Sequence, residues 1–440
     1  MKRRQNILLL AALMAFTQFA CADVYLDATA GRGQEITPAY FGVHFHRLVL
    51  RPQEKAVRTQ WPPLTFGTVR LWDSVTRWAD IAPRAGVWEF ERLDYYVHEA
   101  AAHRATVLYT LGSTPRWASA RPDEPCGYGP GCGAEPVRMG HWEEYVRRVA
   151  QRYGSRIAAY ELWNEPYFSD IAGDRGRPGF YTGSIFNMVE MARVARKVLD
   201  DVSAAAMLCT PGFVGGANRL EMFLAAGGKK YVQAICYHFY SENSSHLARQ
   251  ILEIRSVMKR QGLENLPLWN TETGLEVYGP GESLPAGAGA GATRSLTESA
   301  AKMTQQLILG AAAGLGRYYY YSWDSERSGM VTTSGEHLPA YAAMAQVQKW
   351  LIGATLAGCE SFKGAGVMCG GNKGSRHFKI LWAEVPATQA VTVPRGFRFA
   401  GQEMLWRSAQ ESRLRVADGK VLVPVGQPPV LLWFDATETK

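Results

Sequence analysis

Between residues 40 and 350 short apolar runs alternate with stretches of helical periodicity, and this alternation restricts the fold more than any other feature of the chain. Each pair reads as a strand followed by a covering helix, the unit of a parallel sheet. Strands are expected at Phe41 to Phe45, Phe66 to Trp72, Thr106 to Leu111, Ile157 to Trp163, Ala206 to Thr210, Val232 to Phe239, Leu266 to Thr271 and Gly316 to Ser322. Trp142, Tyr145, Val146, Val149 and Tyr153 form an apolar stripe at i, i+3, i+4, i+7 and i+11, and a second helix carries Ile185, Met188, Ala192, Ala195 and Leu199. Ser295 and Glu298 have capping-box spacing ahead of the apolar run Leu307 to Leu315, and Pro339 suits a first helical turn. Eight such units in about 310 residues predict a (β/α)8 barrel with insertions rather than an open doubly wound sheet.

After residue 352 the texture changes to short strand-like runs between turn residues, such as Phe378 to Trp382, Val421 to Val425 and Val430 to Phe434. These predict a C-terminal β-sandwich over 353–440, behind a catalytic barrel over 23–352. Residues 1–22 join Lys2, Arg3 and Arg4 to an apolar run and end in Ala20-Cys21-Ala22, the layout of a signal peptide cleaved after Ala22. An uncleaved anchor or acylation on Cys21 would instead tie the chain to a membrane. Residues 1–22 hold no acid, so cleavage takes the formal charge from +8 to +5, too small a surplus for a nucleic-acid binder. The compartment expected is the periplasm, with secretion as the alternative. The Gly/Ala run from Pro285 to Ala292 follows the seventh strand and reads as a flap or a tether.

Cys126 and Cys132 flank a turn-rich loop and Cys359 and Cys369 a Gly-rich one; in an exported chain each pair is expected to form a disulfide. Cys209 and Cys236 lie in apolar runs and read as free, buried thiols. No Cys-x-x-Cys or His-x-x-x-His spacing suggests zinc, and neither a metal nor an organic cofactor is expected.

The sharpest chemical signal is Trp163-Asn164-Glu165-Pro166 at the end of the fourth strand, matched by Thr271-Glu272 at the end of the seventh. Strand ends open onto the C-terminal mouth of a barrel, where such folds build active sites. Two carboxyl groups across one mouth suit glycosidic bond cleavage, which needs one protonated acid and one ionised carboxylate. An isolated strand-end Glu is ordinarily a surface ion pair; two on one rim among aromatic residues are not. Glu161, earlier on the fourth strand, is assigned to structure.

On these residues the chain resembles the retaining glycosidases built on (β/α)8 barrels, whose acid/base and nucleophile sit on strands four and seven. The resemblance implies Glu165 as acid/base and Glu272 as nucleophile. It also implies that Arg70 in Thr68-Val-Arg-Leu-Trp-Asp73 supports the nucleophile, that His238-Phe-Tyr240 matches the clan's His-x-Tyr, and that Trp323 floors the sugar site. Gly112 to Trp117, the trailing sandwich and the length are similar to glycoside hydrolase family 39, and within it to the periplasmic glycosyl hydrolases of bacterial Psl-type exopolysaccharide operons. Asn164 would bond the sugar 2-hydroxyl. Trp72 and Trp117, at predicted strand ends, are candidate sugar platforms, and His44 and His46 candidate lining residues. The partners expected are a polysaccharide, cut internally, and exopolysaccharide secretion proteins. An exo-acting β-xylosidase-like or iduronidase-like enzyme, a carbohydrate-binding protein that never cuts, and a non-catalytic scaffold are the alternatives.

Overall fold

The computed structural model describes residues 23–437 apart from 32, 52, 178, 204, 280–281, 284–291, 294 and 407–413. The signal segment and nearly all of the Gly/Ala run lie outside the described residues. Eight strands form one parallel sheet: β1 (Phe41–His44), β2 (Thr68–Leu71), β3 (Thr106–Thr110), β4 (Ile157–Glu161), β5 (Met207–Cys209), β6 (Ile235–Tyr237), β7 (Leu268–Thr273) and β8 (Arg317–Tyr320). Their order, β5-β4-β3-β2-β1-β8-β7-β6, is that of a barrel wall. The seam between β5 and β6 is closed by isolated bridges, Cys209 to Ala234 and Phe213 to Tyr237.

Side-chain alternation along each strand divides the interior from the wall. Leu108, Ala159, Cys209, Cys236, Trp269 and Tyr319 pack with one another inside the barrel. Tyr318 and Tyr320 join the larger core beneath the helices, where the Tyr318 hydroxyl donates to Gln306 Oε1 at 3.0 Å. The predicted stripe is the buried face of Met139–Tyr153. Ser295 caps the helix Leu296–Ala312 by accepting from the Glu298 N–H, but Glu298 turns to Thr293 and Lys302, so only half of the capping box forms.

Five antiparallel strands, β9 (Ala354–Phe362), β10 (Gly366–Lys373), β11 (Arg376–Ala383), β13 (Phe397–Met404) and β16 (Val430–Ala436), pair in the order β9-β10-β11-β16-β13. They face a three-stranded sheet of β12 (Ala387–Thr392), β15 (Lys420–Val425) and β14 (Val416–Ala417) across a core of Leu381, Val391, Val423, Leu432 and Phe434. This is the expected sandwich. It docks beneath the barrel helices, where Trp382 Nε1 donates to Ser244 Oγ at 3.0 Å. The first helix, Val24–Thr29, belongs to the same junction: Thr29 Oγ1 accepts from the Cys359 N–H at 2.8 Å.

Three disulfides are present among the described residues. Cys126–Cys132 and Cys359–Cys369 pair as the sequence suggests. Cys209 and Cys236 do not stay free: they are bonded across the β5–β6 seam, with Cα atoms 6.0 Å apart. Both face the barrel interior from strands that become neighbours only when the sheet closes. Apolar runs read one at a time carry no sign of that adjacency. Among the described residues no helix is long and apolar enough to cross a membrane.

Candidate active site

Loops following every strand except β1 line a cleft of about 920 Å³ at the C-terminal mouth of the barrel. Arg70, fully buried at the end of β2, organises its floor. Its Nε donates to Glu161 Oε2, its Nη1 to Glu272 Oε2 and its Nη2 to Asn164 Oδ1, each at 2.7 Å. Three strands, β2, β4 and β7, thereby converge on one guanidinium, whose rigid fork suits several acceptors at once. Glu161 Oε2 also accepts from Thr110 Oγ1 at 2.8 Å. Asn164 has spent its oxygen on Arg70, so its amide N–H groups remain for whatever enters the cleft.

Glu272 receives a second hydrogen bond, from the Tyr240 hydroxyl at 2.8 Å. Burial pushes the Glu272 carboxyl above its ordinary pKa, with Glu165 adding to the rise, while His238 and Arg70 pull it back without cancelling it. Arg70 and Tyr240 thus offset part of the cost of ionising Glu272. Burial and the adjacent Glu272 and Glu165 raise the Tyr240 hydroxyl well above its ordinary value, so it remains a donor.

Glu165 sits opposite, its side chain 21% exposed against 10% for Glu272. Its backbone has φ +42°, a conformation that L-residues rarely adopt, and is held there by an N–H bond to the Gly212 carbonyl at 2.9 Å. Glu165 Oε1 lies 2.8 Å from His238 Nδ1, and that nitrogen is 3.9 Å from Glu272 Oε1. Gly212 is required at this point: a Cβ there would lie 2.4 Å from His238 Nε2 and 2.9 Å from Glu161 Oε1. One ligand-capable atom each from Glu165, His238 and Glu272 falls within 4.8 Å of the others, a spacing that could hold a metal ion. The Arg70 guanidinium already bonded to Glu272 opposes a second cation there.

The aromatic candidates divide. Trp72 lines the cleft and donates from Nε1 to the Tyr128 hydroxyl at 2.9 Å. Trp117 does not; its Nε1 donates to the Ala82 carbonyl at 2.7 Å and its ring packs edge-on against Trp78 and His141. Trp323 is also withdrawn, buried against His337 and Tyr341. Strand β8 ends at Tyr320, and the Trp323 N–H then bonds to the His44 carbonyl, so strand alternation no longer governs where Trp323 points. Tyr321 lines the cleft in its place. His44 and His46 stand behind Tyr321, with ring centroids 5.1 and 4.9 Å from it, and His44 Nε2 is 3.1 Å from the Thr271 carbonyl.

The sequence reading missed Asp73 as a member of the site. It lines the cleft and accepts from the hydroxyls of Tyr128 at 2.7 Å and Tyr321 at 2.9 Å. Tyr128 and Phe180 come from the long loops after β3 and β4, and stack with ring centroids 5.2 Å apart. Position at a strand end could have singled out Asp73 and Tyr321; nothing in the sequence brings the two loop aromatics together.

No protein-family model matches the chain, and no curated protein matches it. Solved structures do. A family 39 glycoside hydrolase from the gut symbiont Bacteroides cellulosilyticus WH2 superposes with a TM-score of 0.65 and 17% identity, over 91% of this chain and 82% of that one. The family 39 enzyme from Xanthomonas axonopodis pv. citri gives 0.58 and 16%, over 93% and 96%. A family 30 endoxylanase from Clostridium papyrosolvens C71 gives 0.59 and 14%, over 92% and 98%. At such identities the likeness establishes the shared fold, barrel and appended sheets together.

Proposed function

We propose that the chain is a retaining glycoside hydrolase in which Glu272 is the nucleophile and Glu165 the acid/base. The observation that carries this reading is that one oxygen of Glu165 lies within 4.8 Å of one oxygen of Glu272. Retaining enzymes hold their two carboxyl groups roughly 5 to 5.5 Å apart, whereas inverting ones leave about 6.5 to 9.5 Å for a water. The two environments divide the roles. Glu272 is the more buried and has a cation and a hydroxyl directed at it, as a group that must be ionised to attack the anomeric carbon would need. Glu165 faces the open side, where it can protonate the leaving oxygen, with His238 fixing its rotamer. Once Glu272 has become an ester, Glu165, having given its proton to the leaving oxygen, can take one from the incoming water. Asn164 offers its amide N–H groups to the sugar beside the scissile bond.

The substrate we infer is a bacterial exopolysaccharide, cut internally during synthesis or export, with secretion proteins as partners. The support is a leader-like N-terminal sequence, three disulfides, a cleft fed by loops from β2 round to β8, and aromatic residues Trp72, Tyr128, Phe180 and Tyr321 along it. Neighbours described as family 39 glycoside hydrolases and an endoxylanase support the coarser reading of a glycoside hydrolase. Chemical rescue tests the roles. Glu272→Gly should lose nearly all activity and regain part of it with azide, giving a glycosyl azide of inverted configuration. Glu165→Ala should still hydrolyse aryl glycosides whose leaving group needs no proton. Rescue at Glu276 instead of Glu272 would overturn the assignment, and a saccharide bound but never cut would favour the binding-protein alternative.

A further inference from the structure

The cleft has a charge opposite to that of the whole chain. Lys and Arg outnumber Asp and Glu by 48 to 40, yet the described residues lining the cleft include Asp73, Glu165, Glu253, Glu272 and Glu276 and neither Lys nor Arg. Several arginines close in sequence or space to the lining residues are paired with acids. Arg70 is fully buried and divided among Glu161, Glu272 and Asn164. Arg77 pairs with Asp80, Arg219 with Asp174 and Arg327 with Glu282. Among the described lining residues a uronate carboxylate would find no Lys or Arg to replace its lost water, and it would meet like charge in a partly enclosed site where screening is weak. Neutral hydroxyls meet acceptors instead, and the ammonium of an amino sugar meets carboxylates.

We propose that this cleft selects polymers of neutral or amino sugars and rejects polyuronides, with Glu253 and Glu276 as specificity determinants outside the reacting pair. Glu253 is exposed on the helix Ser244–Arg260 after β6, and Glu276 lies just beyond β7, where Tyr278 donates a hydrogen bond to it. The inference rests on the glycosidase reading and deepens it. It also separates the two exo-acting alternatives: a xylosidase-like enzyme remains compatible with the cleft, and an iduronidase-like one, whose substrate carries a carboxylate on the terminal sugar, does not.

The test is binding to Glu165→Gln, an isosteric change that removes the proton donor an unactivated sugar leaving group needs, measured on arrays of neutral, amino-sugar and uronate polysaccharides and then by titration calorimetry with oligomers of matched length. Neutral or amino-sugar oligomers should bind at least tenfold more tightly than oligogalacturonate or oligomannuronate, and added salt should narrow the gap. Adding E253K and E276K should reduce that preference about tenfold or more. Uronate oligomers binding as tightly as the others, or a preference unmoved by the charge reversal, would overturn the selectivity and leave the glycosidase reading intact. Failure to bind any polysaccharide would overturn both.

Discussion

Replacing Arg70 by Met tests how the floor of the cleft is held together. The guanidinium is fully buried and its three hydrogen bonds reach Glu161, whose side chain is wholly buried, Glu272, whose side chain is 10% exposed, and Asn164. Met fills a similar volume, so the main loss is electrostatic: two buried carboxylates are left without a cation. Breaking a buried ion pair from one side costs ~3–5 kcal/mol, or roughly two to three and a half decades in the folding constant. Urea unfolding of the disulfide-intact protein should show that loss as a lower midpoint at an unchanged slope. Burial already raises the Glu272 carboxyl and Arg70 pulls it back, so without that cation its folded-state pKa rises further above the unfolded one. The penalty is therefore full above the folded pKa and shrinks as pH falls through it, so the variant should lie closer to wild type at roughly pH 5 than at pH 8. Adding Glu161→Gln removes one stranded charge and should recover about half of the stability, but none of kcat/KM, because Glu272 still lacks its cation. A loss below about 1 kcal/mol, or one independent of pH, would refute the reasoning.

The pH profile offers a second outcome. Burial raises Glu272, and a free enzyme that needs it ionised should show the acid limb of kcat/KM above the ordinary Glu value of about 4.3. Glu165→Gln removes a negative neighbour and should move that limb downward on activated aryl glycosides; an upward shift would contradict the coupling. Cys209→Ala with Cys236→Ala should cost about 3.5 kcal/mol for the 27-residue separation it opens, and unfolding without reductant should expose no thiol among the six cysteines beyond Cys21. Two titratable thiols would restore the free-cysteine reading. Activity should survive dialysis against EDTA, since Glu272 Oε1, the oxygen nearer His238, already accepts from Tyr240 and the Arg70 guanidinium on Oε2 opposes a second cation; loss reversed by a divalent cation would make Glu165, His238 and Glu272 ligands instead.

What the sequence makes legible follows from periodicity. All eight strands fall inside or beside the predicted runs because barrel strands are apolar on both faces and the helices between them carry a distinct period. Arg70, Asn164, Glu165, Tyr240 and Glu272 meet because each lies at or just past a strand end, a position that can be counted from the chain. What escapes depends on where strands stop and which ones become neighbours. Trp323 points away because β8 ends three residues earlier, and the Cys209–Cys236 bond depends on a seam that exists only in the closed sheet. Asp73 lies within the second-strand segment singled out from the sequence, but its place in the site comes from Tyr128 and Tyr321, supplied by loops whose course no periodicity describes. Glu161 reads as structural from the sequence; in the fold it shares the Arg70 guanidinium with Glu272 and Asn164.

The central claim is double displacement across two close carboxyl groups, and the anomer released in the first minutes of hydrolysis tests it directly. Proton NMR of fresh product from any glycoside the chain cleaves should show the configuration of the substrate retained, with the other anomer appearing only as mutarotation proceeds. Product released first in the inverted configuration would mean that water attacks directly, and neither Glu272 as nucleophile nor the short carboxyl spacing as its basis would stand.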